Sequence, residues 1–195
     1  DYKPDYMAVA FDRRSPTFRH LEFKEYKAGR KKMPSELAQQ IPILKEVLDA
    51  FQICRVEIDG FEADDLIGTL VRHCEDKHIR PIVVTGDKDA LQLASSKTQI
   101  LITKKGTSSL EAYDDKAVIE TFGITPKQYI DLKGLMGDKS NNIPGVPGIG
   151  EKIGTRLIQK FGDIDNVLKN LNKVSGASIK KNLEEYAQQA ILSKH

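Results

Sequence analysis

Pro81-Ile82-Val83-Val84-Thr85-Gly86-Asp87-Lys88-Asp89 decides how this chain is read. Ile82 to Thr85 is an apolar, β-branched run too short for a helix. Bounded by Pro81 and Gly86, it reads as a buried strand. Asp87 and Asp89 follow it directly. In open parallel sheets the ligand crevice lies at the carboxyl ends of strands, so this pair falls where chemistry is carried out. Gly86 lets the backbone turn tightly there. An ordinary polar turn is the bland alternative.

Outward from this strand the pattern repeats. Met7 to Phe11 (MAVAF) is a short apolar run ending at Asp12, and Ile53 to Ile58 alternates. Both read as strands, as does Gln99 to Thr103. Between them Pro34-Ser35-Glu36 opens a helix with Leu37, Ile41, Leu44, Val47, Leu48 and Phe51 near helical spacing. Pro42 either kinks that helix or sits in its first turn. Glu62 to Cys74 reads as a helix turning Leu66, Ile67, Leu70 and Val71 inward, and Asp89 to Leu93 as a short one. Strand–helix alternation predicts a parallel sheet with right-handed crossovers. After about residue 113 no further strand is predicted. Residues 114–122, 126–136, 151–161, 164–171 and 178–192 read as helices. This shift predicts an α/β domain at 1–113 and a smaller helical domain at 114–195.

The 195 residues carry a net charge of only +2, unevenly spread. Arg13 to Lys32 holds eight Lys or Arg against two acids, a local balance of +6. Its aromatics Phe18, Phe23 and Tyr26 follow no clear period, which predicts a mobile or partly helical excursion. Glu57 to Asp89 holds nine acids against four bases, a balance of −5. A basic arm ahead of an acidic pocket suits a polyanion held against a metal site, with solvated helix faces as the alternative. Cys54 and Cys74 form no disulfide framework, which points to a reducing cytosol. His20, His73, His78 and His195 lack zinc spacing and read as structural or surface residues. No stretch approaches the ~18 apolar residues of a membrane span, so no membrane is expected. The chain begins at Asp1 and not at a methionine, and reads as a fragment.

Two further acidic motifs accompany the first. Glu62-Ala63-Asp64-Asp65 opens a predicted helix, and Gly137-Asp138-Lys139-Ser140-Asn141-Asn142 closes another. Two carboxylates at ~4 Å repel by about 4 kcal/mol at an effective dielectric of 20. A cation makes such clusters tolerable, and hard oxygen ligands select Mg²⁺ or Mn²⁺. Taken alone, Asp64 and Asp65 read as N-terminal capping. Ile143-Pro144-Gly145-Val146-Pro147-Gly148-Ile149-Gly150 is the sharpest signal. Glycines at a helix entrance let backbone N–H groups approach a phosphate, and the helix N-terminus adds partial positive charge. Lys152, Arg156 and Lys160 recur every four residues, set to track a nucleic-acid backbone, while Val146, Ile149, Ile153 and Leu157 form the apolar side. An interhelical turn rich in glycine and proline is the alternative.

Together EADD (62–65), TGDKDALQL (85–93), LKGLMGDKSNNIPGVPGIGEK (132–152) and TFRHLEFKEYKAGRKKMP (17–34) resemble, in motif order and over nearly the whole chain, the 5′ nuclease domain of bacterial DNA polymerase I, of the flap endonuclease family. The resemblance implies an α/β fold: a PIN-like parallel sheet with flanking helices, followed by a small all-helical domain containing a helix–hairpin–helix (helix–three-turn–helix) motif. It implies removal of 5′ flaps and RNA primers by hydrolysis with two Mg²⁺ or Mn²⁺ ions. By position, Glu62, Asp64 and Asp65 resemble the first acidic cluster, Asp87 and Asp89 the strand-end pair, and Asp138 the acid of the G-D-x-x-D-N motif. Residues 17–34 resemble part of a helical arch, with Arg19, Tyr26, Lys27 and Arg30 contacting phosphates and bases. The turn at 144–150, with Gly145, Gly148 and Gly150 at its core, resembles the duplex-binding turn, at which the family pattern includes a potassium ion on backbone carbonyls. Asn141 stands where the family has a second Asp, which implies a more weakly held second metal. The family's Asp on an N-terminal strand has no counterpart in this sequence. Implied partners are DNA with 5′ flaps, nicks or RNA primers, and a polymerase domain in the same chain. A monomer in a bacterial cytoplasm, associated with the nucleoid, is expected. Two other readings are a catalytically impaired DNA-junction binding module and, with less support, a PIN-type ribonuclease.

Overall fold

The strand predicted at Ile82–Thr85 forms with those bounds, and its neighbours explain why. In the computed structural model, which describes residues 2–104 and 109–195, the chain divides into two compact units, one up to Leu70 and the other from Val71.

In the first unit β1 (Ala8–Ala10) pairs in parallel with β2 (Cys54–Val56), Val9 opposite Arg55. The connection carries a one-turn helix α1 (Phe18–Glu22) and the long α2 (Ser35–Ala50). Pro42 is the eighth residue of α2, past the first turn, where its ring nitrogen cannot donate to the carbonyl of Ala38. None of the α2 side chains is buried; Leu37, Leu44, Val47 and the following Phe51 are exposed, while Ile41 and Leu48 of the same spacing are half-buried. The basic excursion is folded around one buried aromatic, Tyr26. Helix α3 (Ala63–Asp76) carries the chain into the second unit. It buries Leu66 and Val71 as predicted, but Leu70 is exposed.

In the second unit β3 (Ile82–Thr85) pairs in parallel with β4 (Gln99–Thr103), Val83 opposite Ile100. A 3₁₀ turn, Lys88–Leu93, connects them and buries Leu91. β5 (Leu110–Tyr113) then pairs antiparallel with β4, a strand the sequence pattern did not reveal. Helices α4 (Asp115–Phe122) and α5 (Pro126–Met136) follow. Asp114 caps the first, accepting from Ala117 N–H at 2.8 Å. Thr125 and Gln128 form a reciprocal capping box on the second, with Pro126 at its first position.

The expectation that strands end near residue 113 fails at one place. β6 (Gly137–Asp138) and β7 (Ile143–Pro144) form a two-residue antiparallel ladder around a 3₁₀ turn at Lys139–Asn141. The ladder is too short to leave a periodic signature and depends on Gly137, whose φ of 71° suits glycine. Helices α6 (Glu151–Phe161), α7 (Ile164–Lys169), α8 (Ala177–Glu185) and α9 (Ala187–Lys194) complete the unit. The last two replace one predicted helix, broken at Tyr186. The unit's core gathers Ile100, Leu101, Leu132, Leu135, Ile158, Ile164 and Leu183, all essentially inaccessible to water. No described helix is long and apolar enough to cross a membrane.

Candidate active site

The predicted acids sit at the ends of elements, and Glu62, Asp65, Asp87, Asp89 and Asp138 are each held by a donor. Asp87 caps the 3₁₀ turn after β3: its Oδ1 accepts from Asp89 N–H at 2.8 Å, and its own N–H donates to Thr85 Oγ1 at 3.1 Å. Asp138 ends α5 on the β6–β7 ladder. Its Oδ1 accepts from the Ser140 N–H (2.8 Å) and hydroxyl (2.6 Å), and its Oδ2 from Asn141 Nδ2 (2.9 Å). Lys133 of α5 joins the two motifs, with Nζ 2.9 Å from Asp89 Oδ1 and 3.2 Å from Asp138 Oδ2.

These side chains line one pocket of about 260 Å³, bounded by Asp87, Asp89, Tyr129, Lys133, Asp138 and Glu151. Its electrostatics pull neighbouring carboxyls in opposite directions. Burial pushes Asp89 up, Lys133 opposes this, and the charges of Asp87 and Asp138 reinforce it. Burial also pushes Asp138 up, but the Ser140 hydroxyl, the Lys133 charge and the Ser140 N–H outweigh it, leaving the carboxyl at about 2. For Lys133, burial favours the neutral form, but Asp89 and Asp138 prevail and hold the ammonium above its ordinary value.

A second group lies in the first unit. Arg19 forms a two-pronged pair with Asp65, at 2.9 and 2.8 Å. Lys27 Nζ reaches Glu62 Oε1 at 2.7 Å, and the Tyr26 hydroxyl donates to Glu62 Oε2 at 3.0 Å. Glu62 is 7% exposed and Tyr26 6%, so the pair is packed away from water. Burial leads the Tyr26 shift, and the Glu62 charge and hydrogen bond add to it. Three side chains predicted to touch nucleic acid, Arg19, Tyr26 and Lys27, are thus bonded to acids predicted to bind metal. Asp64 and Arg30 are exposed. Asp12, which no acidic motif in the sequence marks, follows β1, and its Oδ1 accepts from Ala63 N–H at 2.7 Å as α3 opens. The strand-end logic used for Asp87 applies equally to Asp12. Lys133 had no such signal, because a lysine inside a helix is ordinary until the fold shows what it faces.

The donor set of the pocket fits a hard divalent cation: Asp87, Asp89, Asp138 and Glu151 offer carboxylate oxygen, with no thiolate or imidazole among them. Among the described residues no three or more His, Cys, Asp or Glu side chains are grouped closely enough to hold a metal ion, and the Lys133 ammonium lies between Asp89 and Asp138.

The glycine-rich turn is held from behind by the last two helices. Asn182 donates to the Pro147 carbonyl (2.8 Å), Gln189 to Gly145 (2.6 Å) and Ser193 to Pro144 (2.5 Å). Gly148 has φ 77°, and Gly150 is the N-cap of α6 with open space where a Cβ would point. Lys152, Arg156 and Lys160 are exposed on α6, Lys160 donating to the Lys173 carbonyl at 2.7 Å.

Two family models match end to end: "5′-3′ exonuclease, N-terminal resolvase-like domain" over residues 1–123 and "5′-3′ exonuclease, C-terminal SAM fold" over 124–195. DNA polymerase I of Bacillus subtilis (strain 168) is 50% identical over 194 residues, covering 100% of this chain. The chain spans 22% of that relative's length. Among solved structures, the bacteriophage T5 flap endonuclease in a complex with DNA and metal ions superposes with a TM-score of 0.81 at 23% identity, covering 99% of this chain and 74% of that one. T5 5′-exonuclease with bound zinc gives 0.81 at 24% identity, with the same coverage of 99% and 74%. These two structures show a shared fold.

Proposed function

The chain belongs to the 5′-3′ exonuclease family, and from that premise we propose that it is the structure-specific nuclease portion of a bacterial DNA polymerase I. On this reading it cuts 5′ flaps and removes RNA primers by metal-assisted hydrolysis during replication and repair, as a monomeric unit joined to a polymerase domain. The observation that carries the reading is a pocket lined jointly by Asp87, Asp89 and Asp138, in a chain whose relatives are DNA polymerases I. Its functional division falls near residue 113, with a catalytic part before it and a duplex-binding part after it.

The chain's own residues then have separate tasks. Asp87, Asp89 and Asp138, with Asn141 beside them, hold the ions in one unit; Asp12, Glu62, Asp64 and Asp65 supply acids in the other. Two Mg²⁺ or Mn²⁺ ions held by these acids would supply a water of lowered pKa and offset negative charge on the phosphodiester. Arg19, Lys27 and Arg30 neutralise phosphates of the 5′ strand, and Tyr26 must leave its buried position before it can stack on a base. Gly145, Gly148 and Gly150 shape the turn over a duplex backbone, and Lys152, Arg156 and Lys160 extend the contact along α6. Phosphate contacts dominate, so strand shape and free 5′ ends are recognised in preference to base sequence. A potassium ion on backbone carbonyls of the 144–150 turn belongs to the same reading; the Pro144, Gly145 and Pro147 carbonyls each accept one protein donor and keep a second lone pair.

Cleavage of a 5′-flap duplex by the intact chain, with and without millimolar Mg²⁺, tests the proposal. Metal-dependent release of the flap that Asp138→Asn abolishes is the expected result. One observation favours a second reading, an impaired junction-binding module: Asn141 donates to Asp138 where the family pattern has another acid. Flap binding without cleavage in either Mg²⁺ or Mn²⁺ would select it.

A further inference from the structure

We propose that Lys133 is a built-in counterion of the Asp89–Asp138 pair, and that a divalent cation binds there by displacing its ammonium. This rests on the pocket being the metal site.

The geometry is that of a placeholder. Nζ bridges carboxylates from two different elements, 2.9 Å from Asp89 Oδ1 and 3.2 Å from Asp138 Oδ2. The Lys133 and Asp138 side chains are 25% and 13% exposed, so water does little to shield the acids if the lysine is removed. Asp138 Oδ1 is committed to Ser140, which leaves Oδ2, shared by Asn141 and Lys133, as the oxygen open to exchange. An ammonium satisfies these oxygens near 3 Å, whereas Mg²⁺ requires about 2.0–2.1 Å, so the two cations exclude each other between the same acids. The exchange needs no change of fold. Lys133 is anchored on α5, and only its four-carbon arm must rotate outward. An arginine would grip the carboxylates with a planar fork; a lysine ammonium is a point charge that lets go readily. Metal affinity at this pocket is therefore the difference between two cations, and Lys133 keeps the acids folded together when divalent ions are scarce.

Calorimetric titration of Mn²⁺ into the intact protein tests this, using wild type, Lys133→Met, Lys133→Arg and Asp138→Asn at one ionic strength. Lys133→Met should bind Mn²⁺ about tenfold more tightly, since a competing charge is gone. Lys133→Arg should stay near or below wild type, and Asp138→Asn should lose the heat of the site. Unchanged or weaker binding by Lys133→Met, with the heat still lost in Asp138→Asn, overturns the counterion role and leaves the metal site standing. Heat that persists in Asp138→Asn overturns the metal-site reading itself. If Lys133→Met does not fold, Lys133→Gln replaces it with the same expectation. In the wild type, the Lys133 ammonium NMR signal should broaden into solvent exchange as Mg²⁺ saturates; a signal that stays sharp also overturns the proposal.

Discussion

Asn141 shows how much one atom decides at the residue scale. Its Nδ2 donates to Asp138 Oδ2 at 2.9 Å, and the side chain is buried. Asn141→Asp replaces that donor by a second negative charge facing the first. Without divalent metal the variant should lose about 1–3 kcal/mol, the usual cost of an unsatisfied buried group. Millimolar Mg²⁺ should restore most of that loss, and flap cleavage at saturating metal should exceed wild type. Thermal melts with and without Mg²⁺ check the first statement, and single-turnover cleavage the second; a rate no higher than wild type would remove the argument that Asn141 weakens a metal. Asp138 also fixes a pH dependence. Its carboxyl is held from 3.8 down to about 2, so it contributes stability above 3.8 that is lost as pH falls towards 2. Ser140 supplies the leading stabilising contact. Ser140→Ala should therefore show a shallower loss of stability across that window, measured by urea unfolding at a series of acid pH values.

The glycine-rich turn separates structural glycines from working ones at the scale of the element. A Cβ on Gly145 would overlap the Met136 carbonyl, and one on Gly137 would meet the Ile143 oxygen at 2.6 Å. Gly145→Ala should therefore destabilise the protein by about 3 kcal/mol, the upper end of overpacking costs. Gly150→Ala meets nothing within 4 Å and has φ −101°, so its melting temperature should stay near wild type. If the turn carries phosphate on its backbone, that same variant should still bind a DNA duplex several-fold more weakly by fluorescence anisotropy. Equal binding would move the phosphate contact elsewhere. The same elements show what sequence could reveal. Pro126 after Thr125, and Ile82–Thr85 before Gly86, announce a helix start and a strand end through local chemistry, and the structure has both. β5 and the β6–β7 ladder have no such local cause, since their pairing partners are chosen by tertiary packing. Lys133 was hidden for the same reason: its meaning lies five residues along in Asp138 and across the fold in Asp89. Asp12 is legible by the strand-end rule, since it closes the apolar run that forms β1.

For the molecule as a whole, a net charge of +2 understates its capacity for a polyanion, because the charges are segregated along the chain. Part of the basic segment is engaged within the fold. Arg13 pairs with Asp59 at 3.2 Å, Arg19 with Asp65 and Lys27 with Glu62. On α6, Lys152 and Arg156 are exposed, and Arg156 Nε donates to the Lys152 carbonyl at 3.3 Å. If DNA binding neutralises about four phosphates, log K should fall against log[salt] with a slope of roughly −3 to −4. Replacing Lys152 and Arg156 by alanine should flatten that slope by roughly 2, with little change in melting temperature, because neither side chain is buried. Arg19 and Lys27 should behave differently. Their pairing to buried or half-buried acids means that alanine substitution lowers stability as well as binding, since Glu62 and Asp65 would lose their neutralising partners. Anisotropy titrations over a range of KCl concentrations, run beside thermal melts, distinguish the two groups. A flat salt profile for the wild type would show that neither group neutralises DNA phosphates, whatever the acids do with metal.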